Sequence, residues 1–343
     1  MANYSAAEAN AAVYGGVIKE DVMNRIWDIS NIPLPFQSSI GKGTHANPRT
    51  EWIEDELAAP VTNNAVVEGA DINQDNSKAP VRLGNYTQIA VKEVQLTSTL
   101  QATDTFGQNG KLSYQISERQ KELRRDCESQ LLTHQASVAG DASSTAGISA
   151  GLGAQIKTNI NLGATGTAGG FNTTTGLFVA PVPGTARALS EKTIRDILQA
   201  IYVAGGDTDY LMARPTVIRA LSGYLFGTTA KIATLTSDKA QKGDGNALTA
   251  YGSVNVFVTD FGQTVRMLDN RVQATTATNV STMYFVDPSK ITLSYLRGYT
   301  VEPLAKTGLA DKRMMSVEYS LKVHSEKSQG AIYAIDETAA VVA

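Results

Sequence analysis

The stretch from residue 46 to residue 93 limits this chain more than any other. Thr50-Glu51-Trp52-Ile53 opens one strand-like arm and Tyr86-Thr87-Gln88-Ile89-Ala90-Val91 closes another. Both are rich in the aromatic and β-branched residues that favour extended backbone. Between them lies polar, turn-rich sequence: Asn63-Asn64, Glu68-Gly69, Asp71 to Asp75 and Ala79-Pro80. At ~3.3 Å per extended residue, such arms reach on the order of 60 Å. A two-stranded ribbon of that length is marginal alone in water, so it needs another surface to lie on.

Residues 1 to 45 make the same demand. Val17, Val22, Ile26 and Ile29 are scattered apolar positions without a clean stripe, and Asn31-Ile32-Pro33-Leu34-Pro35-Phe36 predicts extended backbone. Each proline pushes its predecessor out of the helical region.

Regular structure follows. Residues 111 to 135 predict a long helix, with Ile116, Gln120, Leu123, Cys127 and Leu131 on one stripe. Its other faces carry charges of both signs, from Glu118 to Glu128, as on a surface or interface helix. Ile148, Leu152, Ile156 and Ile160 recur every four residues and predict a second helix, before a Gly/Thr/Asn-rich loop over residues 161 to 188. Residues 190 to 226 read as a compact α/β piece. Ser190 is its N-cap; Ile194, Ile197, Leu198 and Ile201 form one face; Gly205-Gly206 stops the helix. Asp209 to Ala213 reads as a strand, and Pro215 opens another helix. Strands are predicted at 254–259, 264–268, 282–286, 291–296 and 299–304. From Met315 to Val323 apolar and polar residues alternate strictly, as in a strand with one face in the core.

Composition narrows the function. With 30 Lys+Arg against 33 Asp+Glu, the formal charge is −3, without the basic excess of a dedicated nucleic-acid binder. Charged residues at 18% and hydrophobic ones at 42% exclude a disordered solvating chain. One cysteine, Cys127, excludes an intrachain disulfide or a cysteine-based zinc site, and three histidines leave little for a metal cluster. No basic region followed by an apolar core opens the chain, so no signal peptide is expected. No stretch reads as a membrane span.

The catalytic motifs fail one by one. Gly147-Ile148-Ser149-Ala150-Gly151 matches G-x-S-x-G, yet a nucleophile elbow needs a buried strand before its serine. Gly140 to Ala146 is not one, so Ser149 reads as part of a small-residue packing segment and a serine hydrolase as a remote alternative. Asp71 to Asp75 imitates a calcium loop, with Asn76 at the glycine position and Arg82 where a glutamate is required. Gly41-Lys42-Gly43-Thr44 lacks the phosphate-loop frame. Glu54-Asp55-Glu56 is an acidic patch without an apolar surround, and Cys127 sits on an apolar stripe as a structural thiol. No catalytic, cofactor-binding or metal-binding residue is predicted. What remains is a tethered arm, a reaching hairpin, a charged helix and a compact α/β unit, which suits a subunit that interlocks with its own copies.

Several segments resemble the major capsid proteins of tailed bacteriophages, of the Hong Kong 97-type (HK97-like) fold. They are Ile29 to Gly43 (ISNIPLPFQSSIGKG), Thr50 to Ala59 (TEWIEDELAA), Val66 to Asp71 (VVEGAD), Arg82 to Ile89 (RLGNYTQI), Leu112 to Leu132 and Leu296 to Val323. The resemblance is in order along nearly the whole chain and weakest at 1–20 and 227–250.

The resemblance implies an α+β capsid fold with residues 1–45 as N-terminal arm and 46–93 as an extended β-hairpin loop lying over a neighbouring subunit. It makes 94–189 and 297–328 a peripheral domain with spine helix 111–135, and 190–296 and 329–343 an axial domain. It implies no enzyme, but a subunit forming the hexameric and pentameric capsomers of an icosahedral head around double-stranded DNA. Expected partners are a separate scaffolding protein, a portal and a decoration protein, with DNA in non-specific proximity and no membrane. The expected location is the virion, after assembly in the bacterial cytoplasm. The interface residues expected are Phe36 on the arm, Trp52, Ile53, Glu54 and Asp55 at the loop base, and Arg119, Glu122, Arg124 and Arg125 on the spine helix. A lysine–asparagine cross-link from Lys78 is not expected. An encapsulin-like nanocompartment is the alternative within the same fold.

Overall fold

The computed structural model describes residues 32–63, 65–69, 79–103, 110–141, 143–226, 256–306 and 308–342. The calcium-loop imitation at Asp71 to Asp75, Lys78 and most of the predicted arm lie outside these residues. The chain divides into two compact units. One holds the described residues of Lys92–Lys121 and Val301–Met315; the other holds those of Ile32–Val91, Glu122–Thr300 and Ser316–Ala343.

In chain order the strands are β1 (Gly41–Thr44), β2 (Arg49–Glu54), β3 (Val81–Tyr86), β4 (Gln88–Thr97), β5 (Ile160–Asn161), β6 (Gly170–Asn172) and β7 (Leu177–Val179). They continue with β8 (Tyr210–Ala213), β9 (Val256–Val258), β10 (Thr264–Asp269), β11 (Val280–Val286), β12 (Ile291–Pro303), β13 (Ala310–Val323) and β14 (Gly330–Asp336).

The larger unit is built on a six-stranded sheet of order β5-β14-β11-β8-β10-β9. β8 pairs parallel with β10 and antiparallel with β11, and all four of its residues are buried, as a central strand requires. Helices Glu191–Val203 and Pro215–Phe226 pack on one face. Ile194, Ile197, Leu198, Ile201, Val217 and Leu221 meet Leu211, Val265, Met283, Phe285 and Ile332 in one core. The opposite face carries tyrosines whose hydroxyls find backbone acceptors: Tyr284 donates to the Leu132 carbonyl and Tyr333 to that of Gly153. Buried tyrosines need such partners. A second sheet has the order β1-β12-β13-β4, with β1 parallel to β12 in the register Gly41↔Thr292 to Thr44↔Tyr295.

The smaller unit is held by hydrogen bonds and an ion pair. Thr97 caps the helix Ser98–Ala102 by accepting from the Leu100 N–H. Gln101 donates to Asp311, which also pairs with Lys306 at 2.5 Å.

Several sequence expectations change. Residues 35–39 form a helix, Pro35–Ser39, instead of continuing the extended run, because Pro35 suits a first turn. The second arm of the hairpin is β3, paired from Arg49↔Tyr86 to Glu54↔Val81; residues 88–91 belong to β4 of the other sheet. The predicted helix around Ile148 to Ile160 shrinks to Leu152–Gln155, with Ile148 bridged to Val138 and Ile160 in β5. Close backbone approach is the reason. A Cβ on Gly151 would lie 2.3 Å from the Thr133 carbonyl oxygen, so the glycines here admit neighbouring chain and do not serve a helix. Ser190 sits at the predicted N-cap, but its side chain makes no capping bond. On β13, Met315, Val317, Tyr319, Leu321 and Val323 face the core as expected, yet Glu318 and Ser320 are buried too. Ser320 is covered by the hairpin, through Thr50 Oγ1 at 3.1 Å.

His45, His134 and His324 all have pKa values below the ordinary 6.5, chiefly because burial disfavours their charged form, with Lys322 adding to the effect at His45 and His324. A depressed folded-state pKa adds stability above the unfolded value, and that stability is lost as pH falls through the folded value. Glu54 and Glu128 have raised pKa values and act in the opposite sense. Melting temperatures of the unassembled subunit are therefore expected to hold above pH 6.5 and fall below it. A melting temperature that rises steadily from pH 7.5 to about 5.5 would contradict this.

Candidate assembly interface

Two anchorages fix the parts of the chain expected to reach outward. The first holds the arm. Glu128, within the helix Lys111–Leu131, is fully buried. Its Oε1 accepts from the Phe36 N–H at 2.9 Å and from Asn270 Nδ2 at 2.8 Å, and its Oε2 accepts from the Gln37 N–H at 2.9 Å. These are the opening N–H groups of helix Pro35–Ser39, which have no partner within that helix. Burial lifts the Glu128 pKa above its ordinary value, against the three donors. Gln37 Nε2 donates to the Arg124 carbonyl at 2.8 Å, and Ser39 shares a 2.6 Å bond with the Tyr210 hydroxyl.

The second holds the base of the hairpin. Thr50, Trp52, Leu83 and Asn85 are the inward residues of β2 and β3. Trp52 stacks on Phe178 at 6.2 Å and 19°, and Phe178 meets Phe171 edge-on at 5.2 Å. The two phenylalanines come from the β6–β7 hairpin, inside the segment predicted as plain loop. Asn85 accepts from the Ala150 N–H at 2.9 Å and donates to the Leu321 carbonyl at 2.8 Å and to Ser149 Oγ at 3.1 Å.

The G-x-S-x-G stretch is a packing segment, as its sequence context suggested. Ser149 is fully buried, and its hydroxyl accepts from Asn85 and from the Leu321 N–H. It joins the hairpin to β13. Ser149→Ala is expected to cost ~1–2 kcal/mol by orphaning those donors. The wild-type protein is expected to show no serine-dependent esterase activity; inactivation by a serine-directed phosphonate would refute this. Cys127 is buried as expected, and burial pushes its thiol up to about 11.

The predicted interface residues fall into groups. Phe36 and Trp52 are buried within their own chain, holding the arm and the loop base from inside. Ile53, next to Trp52, points outward and is 69% exposed. Glu54 is half-buried and Asp55 exposed. Burial lifts the Glu54 pKa, with the Glu326 carboxylate adding to it. Glu56 pairs with Lys327 at 2.5 Å across a cavity of about 510 Å³ that Glu54 and Asp55 also line. Arg119, Glu122 and Arg125 are half-buried, and the buried Nε of Arg125 meets no acceptor among the described residues. Arg124 is exposed, its guanidinium 5.4 Å from the Tyr299 ring centre. Sequence reasoning missed Glu128, Asn85 and the Phe171–Phe178 pair. No described helix is long and apolar enough to cross a membrane.

Beyond Ile53, the loop exposes Leu57 at 93%, Val66 at 67% and Val67 at 80%. A run of exposed apolar residues marks a contact surface.

A family model described as SU10 major capsid protein matches residues 3–336. The major capsid protein of Escherichia phage Phieco32 is 27% identical over 337 residues, covering 90% of this chain and 92% of that protein. Among solved structures, the capsid of a native GTA particle aligns with a TM-score of 0.60 at 11% identity, over 96% of this chain and 99% of that one. The holo-SrpI encapsulin complex from Synechococcus elongatus PCC 7942 aligns at 0.55 and 10% identity, over 99% and 98%. The structural matches show the α+β, HK97-like capsid fold, which phage heads and encapsulins share. The family match then decides between them: the chain belongs to the SU10 major capsid protein family, as a structural subunit of the shell of a virion.

Proposed function

We infer that this subunit closes into rings of six and of five, which tile an icosahedral head around double-stranded DNA. Residues 1–45 act as arm, 46–93 as a loop over the adjacent subunit, 94–189 and 297–328 as peripheral domain, and 190–296 with 329–343 as axial domain. The reading is carried by the loop: Ile53, Leu57, Val61, Val66 and Val67 are large apolar side chains left exposed along it. Covering them with a neighbour removes apolar surface from water at each contact. Many such modest contacts, closed by symmetry, make a durable shell. Ile53, Glu54, Asp55, Arg119, Glu122, Arg124 and Arg125 meet neighbouring copies in this scheme, while Phe36 and Trp52 hold the elements that present them.

Assembly takes place in the bacterial cytoplasm with a separate scaffolding protein and a portal; a decoration protein completes the outer surface. The near-neutral charge of −3 supports an interior that encloses DNA without gripping it. Electron microscopy of the purified protein, alone and with the scaffolding protein, tests the reading. Shells or ringed capsomers are expected; monomers under every condition would overturn it.

A further inference from the structure

Beside the arm helix an open cleft of about 510 Å³ is lined by Leu34, Gln37, Ser38, Lys42, Arg124, Tyr295 and Tyr299. Its polar groups sort cleanly. The Gln37 amide is committed to the Arg124 carbonyl, and Ser38 Oγ to the Leu34 carbonyl at 2.5 Å. The two charged residues are both cations, Lys42 on β1 and Arg124 on the long helix, and both are exposed. Neither has a carboxylate partner among the described residues. Arg124 lies over the Tyr299 ring. A guanidinium stacked this way keeps its in-plane N–H fork free for a carboxylate. The cleft thus offers two cations over an apolar and aromatic floor.

The same chain carries the complement. From residue 54 to residue 77 the loop has Glu54, Asp55, Glu56, Glu68, Asp71 and Asp75 and no Lys or Arg. Within it, Val66-Val67-Glu68 places two exposed apolar side chains directly before an exposed carboxylate, with Asp71 close behind. Apolar pair and acid match floor and cations.

Resting on the reading of the loop as an intersubunit element, we propose that the Lys42–Arg124 cleft receives the Val66–Asp71 segment of a second copy, with Glu68 and Asp71 paired to the two cations. Opposite charge at this contact steers encounter and fixes which part of the loop seats. An acidic side chain supplied by another protein, or a DNA phosphate, would use the same cations and is distinguished by the test.

Wild-type shells assembled from an equal mixture of nitrogen-14 and nitrogen-15 protein are treated with a zero-length carbodiimide and analysed by peptide mass spectrometry. Lys42 coupled to Glu68 or Asp71 in mixed-isotope pairs is the expected result. Lys42 coupled to other carboxylates, or to none, overturns the proposal. In parallel, Lys42→Glu with Arg124→Glu is expected to lower shell yield by about tenfold or more. Adding Glu68→Lys and Asp71→Lys to that variant is expected to restore it. Normal shells from the doubly reversed cleft, or failure of the loop reversal to restore yield in a chain with wild-type melting behaviour, also overturns it. If the wild-type protein forms no shells, the capsid reading fails before this contact is tested.

Discussion

Glu128→Gln is expected to destabilise the subunit by ~2–4 kcal/mol, although it changes only one oxygen to an NH2 group. Both carboxylate oxygens of Glu128 face donors: Oε1 faces the Phe36 N–H and Asn270 Nδ2, and Oε2 faces the Gln37 N–H. A glutamine must turn its NH2 toward one of these positions, placing donor against donor in a fully buried site. Asn270 cannot flip to help, because its Oδ1 already accepts from the Val272 and Gln273 N–H groups at 2.9 and 3.1 Å. The loss combines a charge-assisted bond with an unsatisfied buried N–H, each worth on the order of 1–3 kcal/mol. Urea unfolding at pH 7.5 measures the difference; all three partners of the carboxylate are donors, which suits its ionised form. The arm helix should lose amide-exchange protection at Phe36 and Gln37 first. A change below ~1 kcal/mol would mean that these bonds do not hold the arm.

Glu128 also shows where sequence reading stops. Its neighbours Leu123, Cys127 and Leu131 were legible, because burial repeats at helical spacing and leaves a stripe. The helix Glu191–Val203, strand Tyr210–Ala213 and the alternation of Met315 to Val323 were legible for the same reason. A periodic pattern reports one face against one core. It cannot report a buried carboxylate whose partners sit 91 and 92 residues away, since Glu128 looks like any charge in a charged helix. Asn85 is equally opaque: its value lies in facing Ala150 and Leu321 at once. Phe171 and Phe178 were lost among Gly, Thr and Asn, whose turn signals outweighed two isolated aromatics. The four-residue spacing of Ile148, Leu152, Ile156 and Ile160 misled in the other direction, suggesting a helix where the glycines let backbone pass. The need for a partner was legible because it follows from what the loop lacks: residues 54 to 80 do not contain enough apolar side chain to form a core.

Two adjacent residues on β2 separate holding the loop from using it. Trp52→Ala is expected to cost ~3–5 kcal/mol, the range for emptying a buried aromatic site. The indole stacks on Phe178 and meets His324 edge-on at 6.5 Å, and among the described residues only the smaller Leu83 joins it from the hairpin in that buried cluster. Ile53, one residue on, points the opposite way because side chains alternate along a strand. Being 69% exposed, it has little to lose in the free subunit, so Ile53→Asp should shift its stability by no more than ~0.5 kcal/mol. In an assembled shell the same aspartate would be buried against a neighbour without a partner charge, which is strongly unfavourable. Trp52→Ala should therefore lower the melting temperature whether or not shells form. Ile53→Asp should melt like the parent subunit yet fail to sediment as particles. Assembly by Ile53→Asp at wild-type yield would remove the loop base from the contact surface, whereas a large loss of subunit stability would mean that Ile53 packs within its own chain. The alternation of β2 thus predicts two different failures from neighbouring positions, one intramolecular and one between copies.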